Sequence, residues 1–559
     1  MIKKNESRLR VIPISGFEEV GRNMMVIEYD HDIIIIDMGL QFPEEEMHGI
    51  DYIIPNIGYL KGREQNIRGV IITHGHLDHV GGIPHLIPKL GNPTLFATKL
   101  TRAIIEKRQL DYKNVKEKLN CYTIDPDDKI KLGIFKIEFF RVNHNIPDGV
   151  GVAIHTPEGT LLHTGDFKFD HSPVNEKPVE VGKIARLGAQ GILALFSDST
   201  NAEVPGYSIS EKTIAETLDR IIAQAPGRVI IGTFSTLISR IQQTINIASK
   251  YKRKIVIEGY SMKTTAAIAQ ELGYLKVPKG LIIDVKESLS MDPKKVIIMC
   301  TGAQGEDNAV LMRIANKEHR FLAIEKNDTV IFSSSVIPGN EATVQRLKDS
   351  LSREGAHIVH YKLMDVHTGG HGHIEDLKMM LQLTKPKYFI PIHGNRYFLQ
   401  LHANIAESVG IPKKNCFVAN NGQIMEYKNG EGQLLKKHVP ASYVFVDGLG
   451  EADATNIVLR DRQHMANDGM LVVIASIEVK TGKLIGNPDI ISRGFVYLKE
   501  NKKLIEETRS KVKKILIDKD PKMAANETYL KKKIRDGIGQ FLFQKTEKRP
   551  MVLPVIIDV

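Results

Sequence analysis

One stretch constrains this chain more than any other: Gly69-Val70-Ile71-Ile72-Thr73-His74-Gly75-His76-Leu77-Asp78-His79-Val80-Gly81-Gly82. A β-branched run passes directly into four potential metal ligands and closes on two glycines. In extended backbone, residues two apart project to the same side, so His74 and His76 can grip one ion together; on a helix they would diverge. Asp78 and His79 follow on the turn, placed to face a second ion. Imidazole and carboxylate donors suit Zn²⁺ or Mn²⁺.

Three further residues stand in similar settings. His144 follows the apolar run Phe135–Val142, Asp166 closes Leu161-Leu162-His163-Thr164-Gly165-Asp166, and His393 closes Tyr388-Phe389-Ile390-Pro391-Ile392-His393. Open α/β sheets put their ligand sites at such strand ends. With the first run these make seven ligands, the number a two-metal site needs. Strand-sized runs such as Ile33–Ile36, Thr160–Thr164 and Ile192–Phe196 alternate with helical periodicity at Leu100–Leu110 and Ile214–Gln224, an α/β pattern. A second strand–helix series starts near Gly206, with a helix from Ser235 to about Lys250, and ends near Ser352. The first style returns over His357–Tyr427, breaks around Lys436–Val446, and Val446–Val559 reads as a small α+β unit with two amphipathic helices.

A length of 559 residues exceeds one ordinary domain. Three scattered cysteines, Cys121, Cys300 and Cys416, exclude a disulfide scaffold and a CxxC-type zinc site. The first fifteen residues lack the apolar block of a signal peptide, and no apolar run approaches the ~20 residues of a membrane span. A soluble, cytoplasmic protein without membrane association is expected. The charge balance of 76 basic against 66 acidic residues gives +10. Residues 501–550 hold fifteen Lys or Arg against seven Asp or Glu. Such a surplus favours anionic partners, nucleic acid among them, although a solvated Lys-rich helical tail has the same composition. With 6% aromatics and no tryptophan, stacking platforms for single strands are scarce.

The ordered set HxHxDH, later His, TGD and distant His resembles the metallo-β-lactamase fold, with Asp37, which closes Ile33–Ile36, matching that superfamily's first motif. Segments 197–206 (SDSTNAEVPG), 233–243 (TFSTLISRIQQ), 300–306 (CTGAQGE), 332–341 (FSSSVIPGNE) and 366–373 (VHTGGHGH) resemble the β-CASP insert and its flanks. Segments 460–465 (RDRQHM), 492–498 (SRGFVYL) and 548–554 (KRPMVLP) resemble the C-terminal domain of the bacterial ribonuclease J family. The resemblance runs along the whole chain in order. It implies an αββα sandwich over 1–205 and 353–435, an α/β β-CASP insert over 206–352, a linker at 436–448 and an α+β domain for oligomerisation or RNA association over 449–559.

Carried onto these residues, the resemblance implies a two-metal phosphodiesterase site. His74, His76 and His144 would hold one ion; Asp78, His79 and His393 the other; Asp166 would bridge them. The ions would be Zn²⁺ or Mn²⁺. Asp37 would orient ligands without binding metal. His371 would donate a proton to the leaving 3′-oxygen or grip the scissile phosphate, oriented by Asp198. Asp78, His371 and Asp198 form the expected catalytic group. Thr236, Arg240, Gly369, Gly370 and His371 would hold phosphates, Arg240 through its bidentate fork and the glycines through backbone N–H groups. Relatives commonly carry serine where Gly369 stands and a Ser-Asn pair where Thr236-Leu237 stands. The implied activity is RNA hydrolysis, endonucleolytic and 5′→3′ exonucleolytic, in RNA maturation, including ribosomal RNA, and mRNA decay. The implied partners are RNA, further copies in a homodimer or homotetramer, and a paralogue or degradation assembly. Two rival readings stand beside it: a weakly active or inactive RNA-binding partner subunit of a catalytic paralogue, and a hydrolase of a small ester or of DNA.

Overall fold

The computed structural model describes residues 7–559 except 45–46, 113–117, 307, 338–339, 449, 452–455, 479–482, 496–500 and 518–525. Two positions of the 332–341 segment and three of the 492–498 segment therefore lie outside the described residues.

Two sheets face one another. The first has eight strands in the order Glu431–His438, Gln423–Lys428, Leu9–Ser15, Met24–Tyr29, Asp32–Ile36, Ile67–Ile71, Leu95–Ala97 and Cys121–Thr123. The second has six: Tyr388–Ile392, Ile192–Asp198, Gly159–His163, Val150–Thr156, Phe135–Arg141 and Lys129–Leu132. Alternate residues meet between them, Val11, Ile27, Ile34 and Ile71 from one side against Phe139, Val152, Phe196 and Ile390 from the other. Each fully buried side chain of this size stabilises the fold by about 1.5–3 kcal/mol. Helices Val181–Ala189, Ile374–Thr384 and Arg396–Ser408 cover the outer face of the second sheet. The expected αββα sandwich is present.

The insert is a five-stranded sheet in the order Lys254–Glu258, Val296–Cys300, Val229–Gly232, Thr329–Phe332 and His357–His360, every neighbouring pair parallel. Parallel sheets need both faces covered. Helices Glu211–Gln224, Ile238–Lys250 and Tyr260–Glu271 lie on one side, with Val310–Ala315 and Glu341–Arg353 on the other. The expected insert end at 352 falls one residue before the end of the helix Glu341–Arg353. His357–His360 is the insert's fifth strand, paired residue for residue with Thr329–Phe332. The expected linker at 436–448 includes strand segments. Its first residues finish the strand Glu431–His438, and Val444–Asp447 is itself a strand.

Sandwich and insert together form one compact unit. The second unit comprises Pro43–Tyr52 with Phe445–Val559. Asp51 N–H donates to Val446 O, and Arg462 binds His48 O, Gly49 O and Asp447. This unit holds a three-stranded sheet, with Met470–Ile477 between Leu484–Arg493 and Met551–Asp558. Helices Lys502–Ile517 and Glu527–Thr546 pack on one of its faces. A third helix, Asn456–Asp468, adds to the two expected. No helix among the described residues is long and apolar enough to cross a membrane.

Candidate metal centre

All seven expected ligands gather at one edge of the sandwich. His74, His144 and Asp166 each lie three residues past a strand end and His393 immediately past one, and His76 caps the short helix Leu77–Val80 that carries Asp78 and His79. Asp37 and His393 both adopt left-handed backbone, φ 61° and 54°. Non-glycine residues held there mark functional turns more often than others.

The imidazoles are aimed by their own hydrogen bonds. His79 Nδ1–H donates to Asp37 Oδ2 at 2.7 Å, and His144 Nδ1–H to Gly370 O at 2.7 Å. His393 Nδ1–H donates to Thr200 Oγ1 at 2.7 Å, whose hydroxyl donates to Asp198 Oδ1 at 2.8 Å. His74 Nδ1–H donates to Thr73 Oγ1 at 3.1 Å, whose hydroxyl donates to Asp37 Oδ2 at 2.9 Å. A proton fixed on Nδ1 leaves the Nε2 lone pair pointing inward. His76 is reversed. Its Nδ1 lies 3.1 Å from His74 Nε2 and 3.0 Å from His144 Nε2.

These donors fit a cation. Nitrogens each 2.0–2.1 Å from a tetrahedral ion lie about 3.3 Å apart, close to the spacing of this triad. Burial holds His76 down to about 4 and keeps His74 and His144 well below the usual histidine range, so all three present lone pairs near neutral pH. The second group is Asp78, His79, Asp166 and His393. Asp78 Oδ2 stands 3.1 Å from His393 Nε2 and 3.4 Å from His79 Nε2. Asp166 Oδ2 reaches both groups, lying 3.7 and 3.8 Å from Nε2 of His74 and His144 and 3.3 and 3.8 Å from Nε2 of His79 and His393. Burial opposes charge on His79, yet Asp166, Asp78 and Asp37 outweigh it and lift that imidazole well above its usual range. The carboxylates here call for positive charge.

His371 lies beside the centre, its side chain 19% exposed, with Nδ1 2.7 Å from Asp198 Oδ2 and its ring stacked on His393. Asp198 also accepts from Thr200 N–H. Gly370 is required as glycine, because a Cβ there would meet His144 Nδ1 at 2.2 Å. A Cβ on Gly369 would make only ordinary contact with Asn201, at 3.5 Å, and half-buried Thr236 occupies the turn before the helix Ile238–Lys250. Phe234 of that turn contacts His367 across 6.3 Å, which brings the two expected phosphate-binding segments together.

Arg240 corrects the expectation most sharply. It was expected to offer its fork to phosphate, yet it is fully buried and bound to Glu211, Gln243, Ser333 and the Val366 carbonyl. Leu237, beside Thr236 in the same turn, is core. Thr73 and Thr200 escaped the sequence reading. Thr73 is next to His74 in sequence, which was the available signal for it; Thr200 reaches His393 across 193 residues, which no local pattern shows.

Fold and donor set define a metal-dependent hydrolase of the β-lactamase superfamily. Family models match in order along the chain: a beta-lactamase superfamily domain over 53–180, the ribonuclease J beta-CASP domain over 226–351, a Zn-dependent metallo-hydrolase RNA specificity domain over 342–419 and the ribonuclease J C-terminal domain over 457–559. The chain is 39% identical to Ribonuclease J 1 of Streptococcus pyogenes serotype M3, covering all of this chain and 98% of that one. It is 38% identical to Ribonuclease J2 of Bacillus subtilis and 35% identical to Ribonuclease J 2 of Staphylococcus epidermidis, each over both full lengths. The chain belongs to the ribonuclease J family and is a metal-dependent ribonuclease. Its fold is also similar to the crystal structure of a protein of unknown function from Enterococcus faecalis V583, with TM-score 0.53 and 16% identity over 77% of this chain and all of that one.

Proposed function

We propose that the chain hydrolyses RNA phosphodiester bonds with two divalent cations, Zn²⁺ or Mn²⁺, acting as an endonuclease and a 5′→3′ exonuclease in RNA maturation and mRNA decay. The single observation that carries this reading is the position of Asp166 Oδ2, within 4 Å of inward nitrogens from both ligand groups. Two ions held there would lower the pKa of water from about 15.7 towards ~7 and draw charge from the phosphate oxygens. The residues do the rest. His74, His76 and His144 form one cradle, Asp78, His79 and His393 the other, and Asp37 fixes His79 through its Nδ1–H. Asp198 supports a protonated His371, whose Nε2–H would give its proton to the leaving 3′-oxygen.

Phe234 faces His367, and a few residues on, Gly370 O meets His144, so the Phe234–Leu237 turn and the Thr368–Gly370 loop would hold the substrate's phosphates through the Thr236 hydroxyl and backbone N–H groups. With Arg240 buried elsewhere, recognition of a 5′-monophosphate would rest on these neutral donors. Product analysis on matched 5′-monophosphate and 5′-triphosphate RNA, with defined Zn²⁺ and Mn²⁺, tests the reading. Mononucleotides from the monophosphorylated strand support exonuclease action; internal products alone from both strands would remove it.

Self-association belongs to the same proposal. On the sheet face opposite the helices of the second unit, rows of Ile491, Val472 and Leu553, and of Ile485, Ser476 and Ile557, align in register. Ile485, Ile491, Leu553, Val555 and Ile557 are exposed there, Ile557 at 45%. A contiguous apolar face of this kind marks an interface, and a second copy of the chain is the occupant proposed.

A further inference from the structure

We propose that Arg240 is a positioning residue for the hydrolytic step: from within the insert it sets where the Val366–His373 loop begins, and so where His371 and the Gly370 carbonyl stand against the metal centre. The inference rests on the role proposed above for His371.

Arg240 lies on the insert helix Ile238–Lys250 with no solvent exposure. Its Nε–H donates to Gln243 Oε1 at 2.7 Å and its Nη2 to Glu211 Oε2 at 2.9 Å. Nη1 donates to Val366 O at 2.6 Å and to Ser333 Oγ. The Ser333 hydroxyl also donates to Val366 O, at 2.8 Å, so that carbonyl is held by two donors from the insert. Past Val366, Thr368 Oγ1–H still donates to an insert carbonyl, Ile209 O, and then the partners change sides: Gly370 O accepts from His144, Asn201 donates to His371 O, and Gly372 N–H donates to Phe167 O. Three residues lie between Val366, whose carbonyl the insert holds, and Gly370, whose carbonyl meets His144.

A fold-stabilising role alone does not account for a guanidinium here. A buried ion pair is often no better for stability than apolar residues of the same volume, because desolvating both charges offsets their attraction. What an apolar pair cannot do is hold a carbonyl. Arg presents planar N–H donors in a fixed fork, which here span Gln243, Glu211, Ser333 and Val366 together; the ammonium of Lys cannot. Charge is balanced around it by Lys168, 3.6 Å from Asp170 and 4.0 Å from Glu211. Lys168 follows Asp166 by two residues and its N–H donates to Asn143 O, next to His144, so the network extends behind the ligands.

The test compares Arg240→Met, the double variant Arg240→Met/Glu211→Gln, and Ser333→Ala in the full-length, metal-loaded protein, following melting temperature, bound metal, kcat and KM on RNA. Arg240→Met leaves the buried Glu211 carboxylate with only Gln243 and the more distant Lys168 as partners and melts lower. The double variant removes both charges and regains most of the melting temperature, while Val366 O stays without its guanidinium. The expected result is wild-type metal content with kcat down about tenfold or more, as misplacement by a fraction of an ångström produces, and KM changed much less. Ser333→Ala, which leaves the ion pair intact, is expected to lower kcat a few-fold at near wild-type melting temperature. Should the double variant not fold, Ser333→Ala decides alone. Wild-type kcat in the stable double variant, or in Ser333→Ala, overturns the proposal. Failure of the metal-loaded wild type to cleave RNA would instead remove the functional reading beneath it.

Discussion

Asp37 Oδ2 accepts a 2.7 Å hydrogen bond from His79 Nδ1 and, through Oδ1, the backbone N–H of Thr73. One carboxylate therefore fixes both the tautomer of a ligand and the strand end from which the ligand run begins.

That geometry predicts that Asp37→Ala weakens metal binding about 10–100-fold, the usual cost of removing a carboxylate behind a ligating histidine. Competition against a chelator of known affinity measures it. Unchanged affinity in a folded variant would show that His79 needs no such support.

His371 and Asp198 are predicted to separate chemistry from metal binding. His371→Ala should retain bound metal and lose about 10²–10⁴-fold in kcat, the range for a lost proton donor. Asp198→Asn should act in the same direction, its link to His393 through Thr200 adding some loss of metal affinity. Loss of metal from His371→Ala in proportion to lost activity would assign His371 to the ligand set instead.

Glu176 predicts a pH dependence of stability. Burial, with help from Asp170 and Glu211 and against the pull of Lys168, pushes its carboxyl from 4.5 up to about 8. Between those values the folded chain holds a proton that the unfolded chain releases, so rising pH favours unfolding. The melting temperature should fall as pH rises through this window, and Glu176→Gln should flatten the fall by about 2 °C or more. Parallel curves for wild type and variant would refute the assignment.

The apolar sheet face predicts that Leu553→Glu or Val555→Glu, each exposed and in register with Val472 or Ile474, reduces the assembly towards monomer in sedimentation while the second unit stays folded. An unchanged sedimentation mass would place the interface elsewhere.

The grouping of the candidate ligands was legible because its signal is local: His74, His76, Asp78 and His79 fall within six positions just past the strand Ile67–Ile71, and His144, Asp166 and His393 each follow a strand by three residues or fewer. Arg240 was not legible. Its partners Glu211, Ser333 and Val366 lie 29, 93 and 126 residues away, and an arginine just inside a helix reads as exposed without them. The His357–His360 strand is short and half-polar, so only its pairing with Thr329–Phe332 reveals its sheet. Pro43–Tyr52 joins the second unit through a hydrogen bond from Asp51 to Val446, a pairing of the kind local periodicity does not carry.

The most direct test of the central claim is a titration of Zn²⁺ or Mn²⁺ into chelator-stripped protein, reading bound metal per chain and RNA cleavage together. Two ions per chain, with cleavage absent from the stripped protein and restored as they bind, is the predicted result. Cleavage that persists after stripping, or a fully active protein holding no metal, would contradict it.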